Sequence, residues 1–125
     1  MKREIKFRVW STKRKYFLPI NEDPDYLISA SEVGLILIDN GNSVNSNDLV
    51  WQQFTGLKDK NGKEIYEGDI IKWCFVNTGD LDEKEYTEAV EWSDCGFFLD
   101  GGAPLTVAMD DCEVIGNVFE NPELV

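Results

Sequence analysis

A mainly β chain, closing into a small barrel or sandwich, is what this sequence predicts, and three observations carry it. Apolar side chains alternate with polar ones in "EIKFRVW" and in "IIKWCFV", the period of a strand with one buried face. Short apolar runs are cut off at close intervals by Asn-Gly, Gly-Asp and Pro signals. No stretch shows the 3.6-residue repeat of an amphipathic helix, and no internal repeat is visible. At 125 residues, 42% of them hydrophobic and with seven Phe, four Trp and four Tyr, the chain is one globular domain able to bury about two-thirds of its unfolded surface.

Taken in order, Ile5, Phe7 and Val9 fall on one side of the first strand, and Glu4, Lys6 and Arg8 on the other. "STKRK" then reverses the chain, and Pro19 in "YFLPI" confines the second run to an edge or an early end, giving a basic hairpin. "NEDPDYLISASE" reads as turn and loop, "VGLILI" as a short buried strand, and "DNGNSVNSND" (39 to 48) as a flexible loop. That loop divides an N-terminal strand and hairpin region, 1 to 48, from a barrel, 49 to 125. "LVWQQFTGL" resumes extended structure, Asn61 and Gly62 supply a two-residue turn with positive φ, and Gly68 with Asp69 bends the chain again. In the following strand Ile71, Trp73 and Phe75 share one face, while Ile70, Cys74 and Val76 share the other with Lys72. Apolar character on both faces marks it as central. "YTEAVEW", "GFFL", "PLTV" and "CEVIGNVF" complete the set of short strands, and Pro122 makes a final turn with Leu124 as an anchor on the core. Trp51, Trp73 and Trp92 are expected in the core with Phe54, Phe75 and Phe119.

Charge is unevenly placed. The net charge is −12, yet residues 1 to 16 hold seven Lys or Arg against one Glu. The N-terminus alternates where a signal peptide would be continuously apolar, and no run reaches the roughly twenty residues of a membrane helix, so the expected setting is the cytoplasm, with no membrane contact.

The chemistry on offer is narrow. With no histidine, the commonest general base and metal ligand near neutral pH is missing. Cys74 and Cys112 fall in apolar strands, and Cys95 sits in a turn beside Asp94, whose charge disfavours a thiolate. Widely spaced cysteines offer no CxxC metal or redox motif. The loop from Asp39 begins like a calcium site but has Val44 and Val50 where Gly and Glu are needed, and the loop from Asp59 has Glu64 where Gly is needed. Asp110 and Asp111 offer only weak divalent binding. A phosphate cradle at the glycines 56, 62 and 68 is disfavoured by Asp59, Glu64, Glu67 and Asp69, which would repel the anion. No cofactor and no enzymatic activity are expected.

Three blocks, "EIKFRVW", "QFTGLKDKNGKEIYEGDIIKW" and "EVIGNVFENPEL", together forty residues, resemble the YopX family of bacteriophages and prophages of Gram-positive bacteria. The resemblance implies a β-rich fold with a Src-homology-3-like barrel in the C-terminal part, a bacterial host cell, and no catalytic residues. The expected function is non-catalytic: an accessory protein that self-associates into homo-oligomers and binds a host or phage protein. Two surfaces are candidates, the basic one at Lys6, Arg8, Lys13, Arg14 and Lys15, and the acidic one at Asp82, Glu83, Glu85 and Glu88. Two rival uses stand beside this. The basic hairpin, with Trp10 and Tyr16, could hold single-stranded nucleic acid, against the repulsion of a −12 molecule. The acidic stretch 80 to 94 could imitate DNA toward a host nuclease.

Overall fold

The computed structural model describes residues 6–31, 34–76, 83–93, 96–108 and 111–124, with backbone alone at 30, 31, 34, 35, 75, 76, 83 and 107. Among them are eleven strands, three short 3-10 turns and no α-helix, so the chain is mainly β as the alternation predicts. It divides into two compact units, Lys6–Gln52 and a second beginning at Gln53.

In the N-terminal unit, β1 (Phe7–Ser11) and β2 (Tyr16–Leu18) pair antiparallel, Val9 opposite Leu18 and Trp10 opposite Phe17. Val9 points into the core as expected. The other face of β1 is not simply solvated: Trp10 is buried, its ring edge-on to Phe17 at 5.0 Å, and the Arg8 guanidinium lies over Phe17 at 4.4 Å. The four-residue loop from Thr12 to Lys15 closes with Lys15 N–H donating to the Ser11 carbonyl at 2.8 Å and with Lys15 at φ 63°. Pro19 ends β2, as its missing N–H requires.

The next stretch differs from expectation. Residues read as turn and loop contain β3 (Tyr26–Ser31), which pairs along its whole length with β4 (Gly34–Asp39). Propensity alone misses it because the strand-forming residues are bracketed by Asp25 and Ser31, and pairing with β4 supplies the missing order. The loop expected at 39 to 48 holds a second hairpin: Asn40 and Gly41, at φ 49° and 85°, form the tight turn into β5 (Asn42–Ser43), with Asp39 opposite Asn42. This Asn-Gly pair has the mirror-image turn geometry that matches strand twist. Asn45 then accepts the Asn47 N–H at 3.0 Å, starting the 3-10 turn Ser46–Asp48 that leads into β6 (Leu49–Lys58). Val9, Leu18, Ile20 and Leu37 form the unit's core, covered by Tyr26, Val44, Leu49 and Trp51.

In the C-terminal unit the second half of β6 pairs with β7 (Glu64–Tyr66), Phe54 opposite Tyr66 and Lys58 opposite Glu64. Register shifts between those pairs at a bulge, where Gly56 has φ 85° and Thr55 Oγ1 donates to the Ile65 carbonyl at 2.7 Å. The turn beyond corrects one detail. Gly62 has positive φ, at 82°, but Asn61 does not, and the connection is a type I turn from Asp59 to Gly62 followed by a left-handed Gly. The Gly62 N–H donates to the Asp59 carbonyl, and the Asp59 N–H to Lys63, so three residues close the hairpin. A Cβ at Gly62 meets no heavy atom within 4 Å, so its replacement strains only the backbone. Gly62→Ala is therefore expected to cost about 1 kcal/mol, read as a lower urea midpoint with an unchanged slope.

The remaining strands, β8 (Asp69–Val76), β9 (Glu83–Ser93), β10 (Gly96–Leu99) and β11 (Glu113–Asn117), form an antiparallel sheet in the order β10-β9-β8-β11. Thus β8 is interior, as its apolar character on both faces predicts, and Ile70 and Ile71 are both fully buried. "PLTV" is a 3-10 turn, Leu105–Ala108, rather than a strand: Leu105 and Ala108 plug the core while Pro104, unable to donate, makes only an isolated bridge with Phe98. Ile65, Ile71, Trp73, Val90, Leu99, Cys112 and Val114 complete that core. Two expected core members stand apart. Trp92 is 50% exposed and Leu124 is 37% exposed, each at or beside the last residue of its element. The C-terminus is organised instead by Asn117, whose Oδ1 accepts the N–H groups of Phe119 and Glu120 at 3.1 and 2.9 Å.

Candidate functional site

The turns that dominate the central block are structural. Asp59 is buried, its Oδ1 accepting the Asn61 and Lys63 N–H groups and its Oδ2 the Val114 N–H, each at 2.9 Å. Burial alone would raise its pKa, but these three donors outweigh burial and hold it below the usual carboxylate value. Asp69 is likewise buried, accepting the Tyr66 N–H at 2.8 Å, and the Gly68 carbonyl accepts the Val118 N–H at 2.8 Å. So two of the three recognised blocks, far apart in sequence, are locked together by hydrogen bonds from the Val114 and Val118 N–H groups to the Asp59 carboxylate and the Gly68 carbonyl. Asn61, Gly62, Gly68 and Asp69 shape this joint.

The basic candidates separate into two kinds. Arg8 is engaged, stacked over Phe17 and donating through Nε to Gln52 Oε1 at 2.8 Å. Lys6 is half-buried and has a partner of its own. Lys13, Arg14 and Lys15 are exposed on the β1–β2 turn, and none has an ion-pair partner among the described residues. Arg14 donates to the Tyr16 hydroxyl at 3.3 Å, a hydrogen bond that raises its pKa further.

Among the acidic candidates, Asp82 lies outside the described residues, with Asp94, Cys95, Asp110, Lys2 and Arg3, and Glu83 is placed by its backbone at the start of β9. Glu85 forms an exposed ion pair with Lys72 at 3.3 Å. Glu88 is half-buried and accepts the Trp73 indole N–H at 2.8 Å, so its carboxylate orients a core ring. Strand parity puts Tyr86 on the same face, stacked on Trp73 at 4.9 Å, and Trp92 further along, edge-on to its cross-strand partner Phe97 at 4.8 Å. The acidic strand therefore carries two exposed aromatic rings, Tyr86 within it and Trp92 near its end.

A cleft of about 360 Å³ opens in the N-terminal unit. Lys13 and Arg14 of the β1–β2 turn line it together with Asp39, Asp48 and Tyr26; Leu18 and Val44 add apolar surface. Burial raises the Tyr26 phenol, and the Asp39 carboxylate raises it further, partly offset by Arg14. Nothing in the sequence foretold the cleft, because it is made by the hairpins at 26 to 43, of which local signals gave only "VGLILI" as a strand and left the rest as loops. The unread clue was the Asn40-Gly41 pair. Burial also pushes the Cys112 thiol up, away from the thiolate a nucleophile needs. Among the described residues, no group of three or more Cys, Asp or Glu is arranged to hold a metal ion, and no helix is long and apolar enough to cross a membrane.

Fold and surfaces together define a mainly β protein with a curled, half-barrel sheet, whose sequence blocks serve its turns. The chain belongs to the YopX family: the family model, described as YopX protein, matches residues 6–125. Among solved structures it is similar to the crystal structure of protein EF1440 from Enterococcus faecalis, at 27% identity and a TM-score of 0.63, over 98% of this chain and 99% of that one. No curated protein matches the chain.

Proposed function

We propose that the protein is a non-catalytic binding module, an accessory protein of a phage or prophage, that self-associates and contacts a host or phage protein through oppositely charged surfaces. The observation that carries this reading is Trp92: a tryptophan 50% exposed, on a strand with exposed Glu85 and Glu91, beside Phe97. Large rings at the surface are typical anchors of protein interfaces, where their burial supplies most of the binding energy. Charge supports it. Residues 53 to 125 hold five Lys against seventeen Asp or Glu, the whole of the molecule's −12, while the unpaired cations of the β1–β2 turn belong to the other unit. A turn of one copy meeting the acidic strand of another satisfies both. On this reading the half-barrel is Src-homology-3-like, and its rings face a partner as such barrels often do.

Sedimentation of the full chain tests it. Self-association is expected to weaken at least about tenfold between about 50 and 500 mM salt, as screening shortens from over 10 Å to under 5 Å. Trp92→Ala is expected to abolish association while leaving the thermal midpoint within about 2 °C, since an exposed ring contributes little to the monomer. A monomer at every salt concentration would reject self-association. A shift of single-stranded DNA that is lost when Lys13, Arg14 and Lys15 become Ala would favour nucleic-acid binding instead.

A further inference from the structure

We infer that the cleft of the N-terminal unit is a binding site for a small zwitterion of amino-acid size, its anionic group held by Lys13 and Arg14 and its cationic group by Asp39 and Asp48. The volume, about 360 Å³, lies at the small end of ligand pockets and suits one compact molecule rather than a polymer segment.

What singles this cleft out is the state of its charges. Two cations and two carboxylates line one cavity, yet among the described residues none of the four is joined to another in an ion pair. Unpaired opposite charges facing one space form a receptor for a molecule that brings both complements. A simple anion would satisfy one wall and be repelled by the other, and a simple amine would fare the same in reverse. Tyr26 adds a neutral contact between the walls: with its phenol held protonated by burial and by Asp39, it remains a hydrogen-bond donor.

The walls are set by backbone rather than by chance. Arg14 follows a turn fixed by its own N–H donating to Ser11 Oγ at 3.0 Å and by Lys15 in the left-handed region. Asp39 begins the tight Asn40-Gly41 turn, and the Asp48 carbonyl accepts the Thr12 N–H at 2.8 Å, tying the acidic wall to the basic turn. Leu18 and Val44 close the floor with aliphatic surface, which favours a ligand with a short apolar side chain over a bare one.

The test is titration of the isotope-labelled full chain with each of the twenty free α-amino acids, and with acetate and ethylamine as singly charged controls, followed by two-dimensional NMR. At least one amino acid is expected to shift the amides of residues 11 to 15, 26 and 39 to 48 saturably below about 10 mM, and the singly charged controls to bind at least about tenfold more weakly. Arg14→Ala and Asp39→Asn, each checked for an unchanged amide spectrum elsewhere, are each expected to weaken binding at least about tenfold. No saturable shift with any amino acid overturns the inference. So does acetate or ethylamine binding as tightly as the amino acid, or wild-type affinity in the Asp39→Asn variant.

Discussion

Asp59→Asn is expected to lower the free energy of unfolding by about 3 kcal/mol, although the two side chains have nearly the same shape. Asp59 is 7% exposed, and its carboxylate accepts three backbone N–H groups, two from its own turn and one from Val114, 55 residues on. An amide offers one oxygen in place of two, so at least one buried donor faces an NH₂ group and goes unsatisfied. Since Val114 belongs to β11 and Asn61 and Lys63 to the β6–β7 hairpin, the loss unties that hairpin from the edge strand of another sheet in the C-terminal unit. The pH dependence follows from the sign of the shift. The three donors hold the folded-state pKa below its unfolded value of about 3.9. The contribution of Asp59 is thus fully present above that pH and is lost as pH falls through the lower folded value. Urea unfolding at pH 7 should show the reduced midpoint, and between pH 4 and 2 the variant should lose less stability than the wild type. A variant whose midpoint equals wild type at pH 7 would show that the turn holds without its carboxylate.

How much of this was legible depended on the range of the cause. Strand β8 could be read because Ile70, Ile71 and Trp73 make it apolar on both faces, and that pattern is local. The turn at Gly62 and the bend at Gly68 could be read because backbone sterics act within a few residues. Family membership could be read from three blocks, and the structure shows why two of them go together: Val114 and Val118 donate to Asp59 and Gly68. Strand β3 could not be read, since its order comes from pairing with β4 rather than from its own residues. Trp92 was expected in the core as a large ring in a strand, but lying in a strand does not say what covers a side chain; Val90 sits opposite Leu99 and is buried, while Trp92 meets Phe97 edge-on and stays half exposed. The cleft required Asp39 and Asp48 to line one cavity with Lys13 and Arg14, roughly 25 to 35 residues away in sequence, a juxtaposition no local pattern encodes.

Leu37→Ala is expected to cost about 3 kcal/mol and to act mainly on one unit. Leu37 is fully buried, and among the described residues its buried core cluster holds Val9, Leu18 and Ile20 besides, against nine in the C-terminal core cluster. A small core opens at lower free energy than a large one, so the same lost methyl groups consume a larger share of its stability. Amide exchange should show the difference. Protection in β1, β4 and β5 is expected to fall about 100-fold, while β8 and β9 keep most of theirs. Equal loss in both would mean that the two cores open as one cooperative unit. Leu18 belongs to this core and Val44 packs against it, and both also line the cleft, so the same variant should loosen the charged walls above them. The packing of four aliphatic side chains thereby sets how well Arg14 and Asp39 stay apart and ready for a ligand.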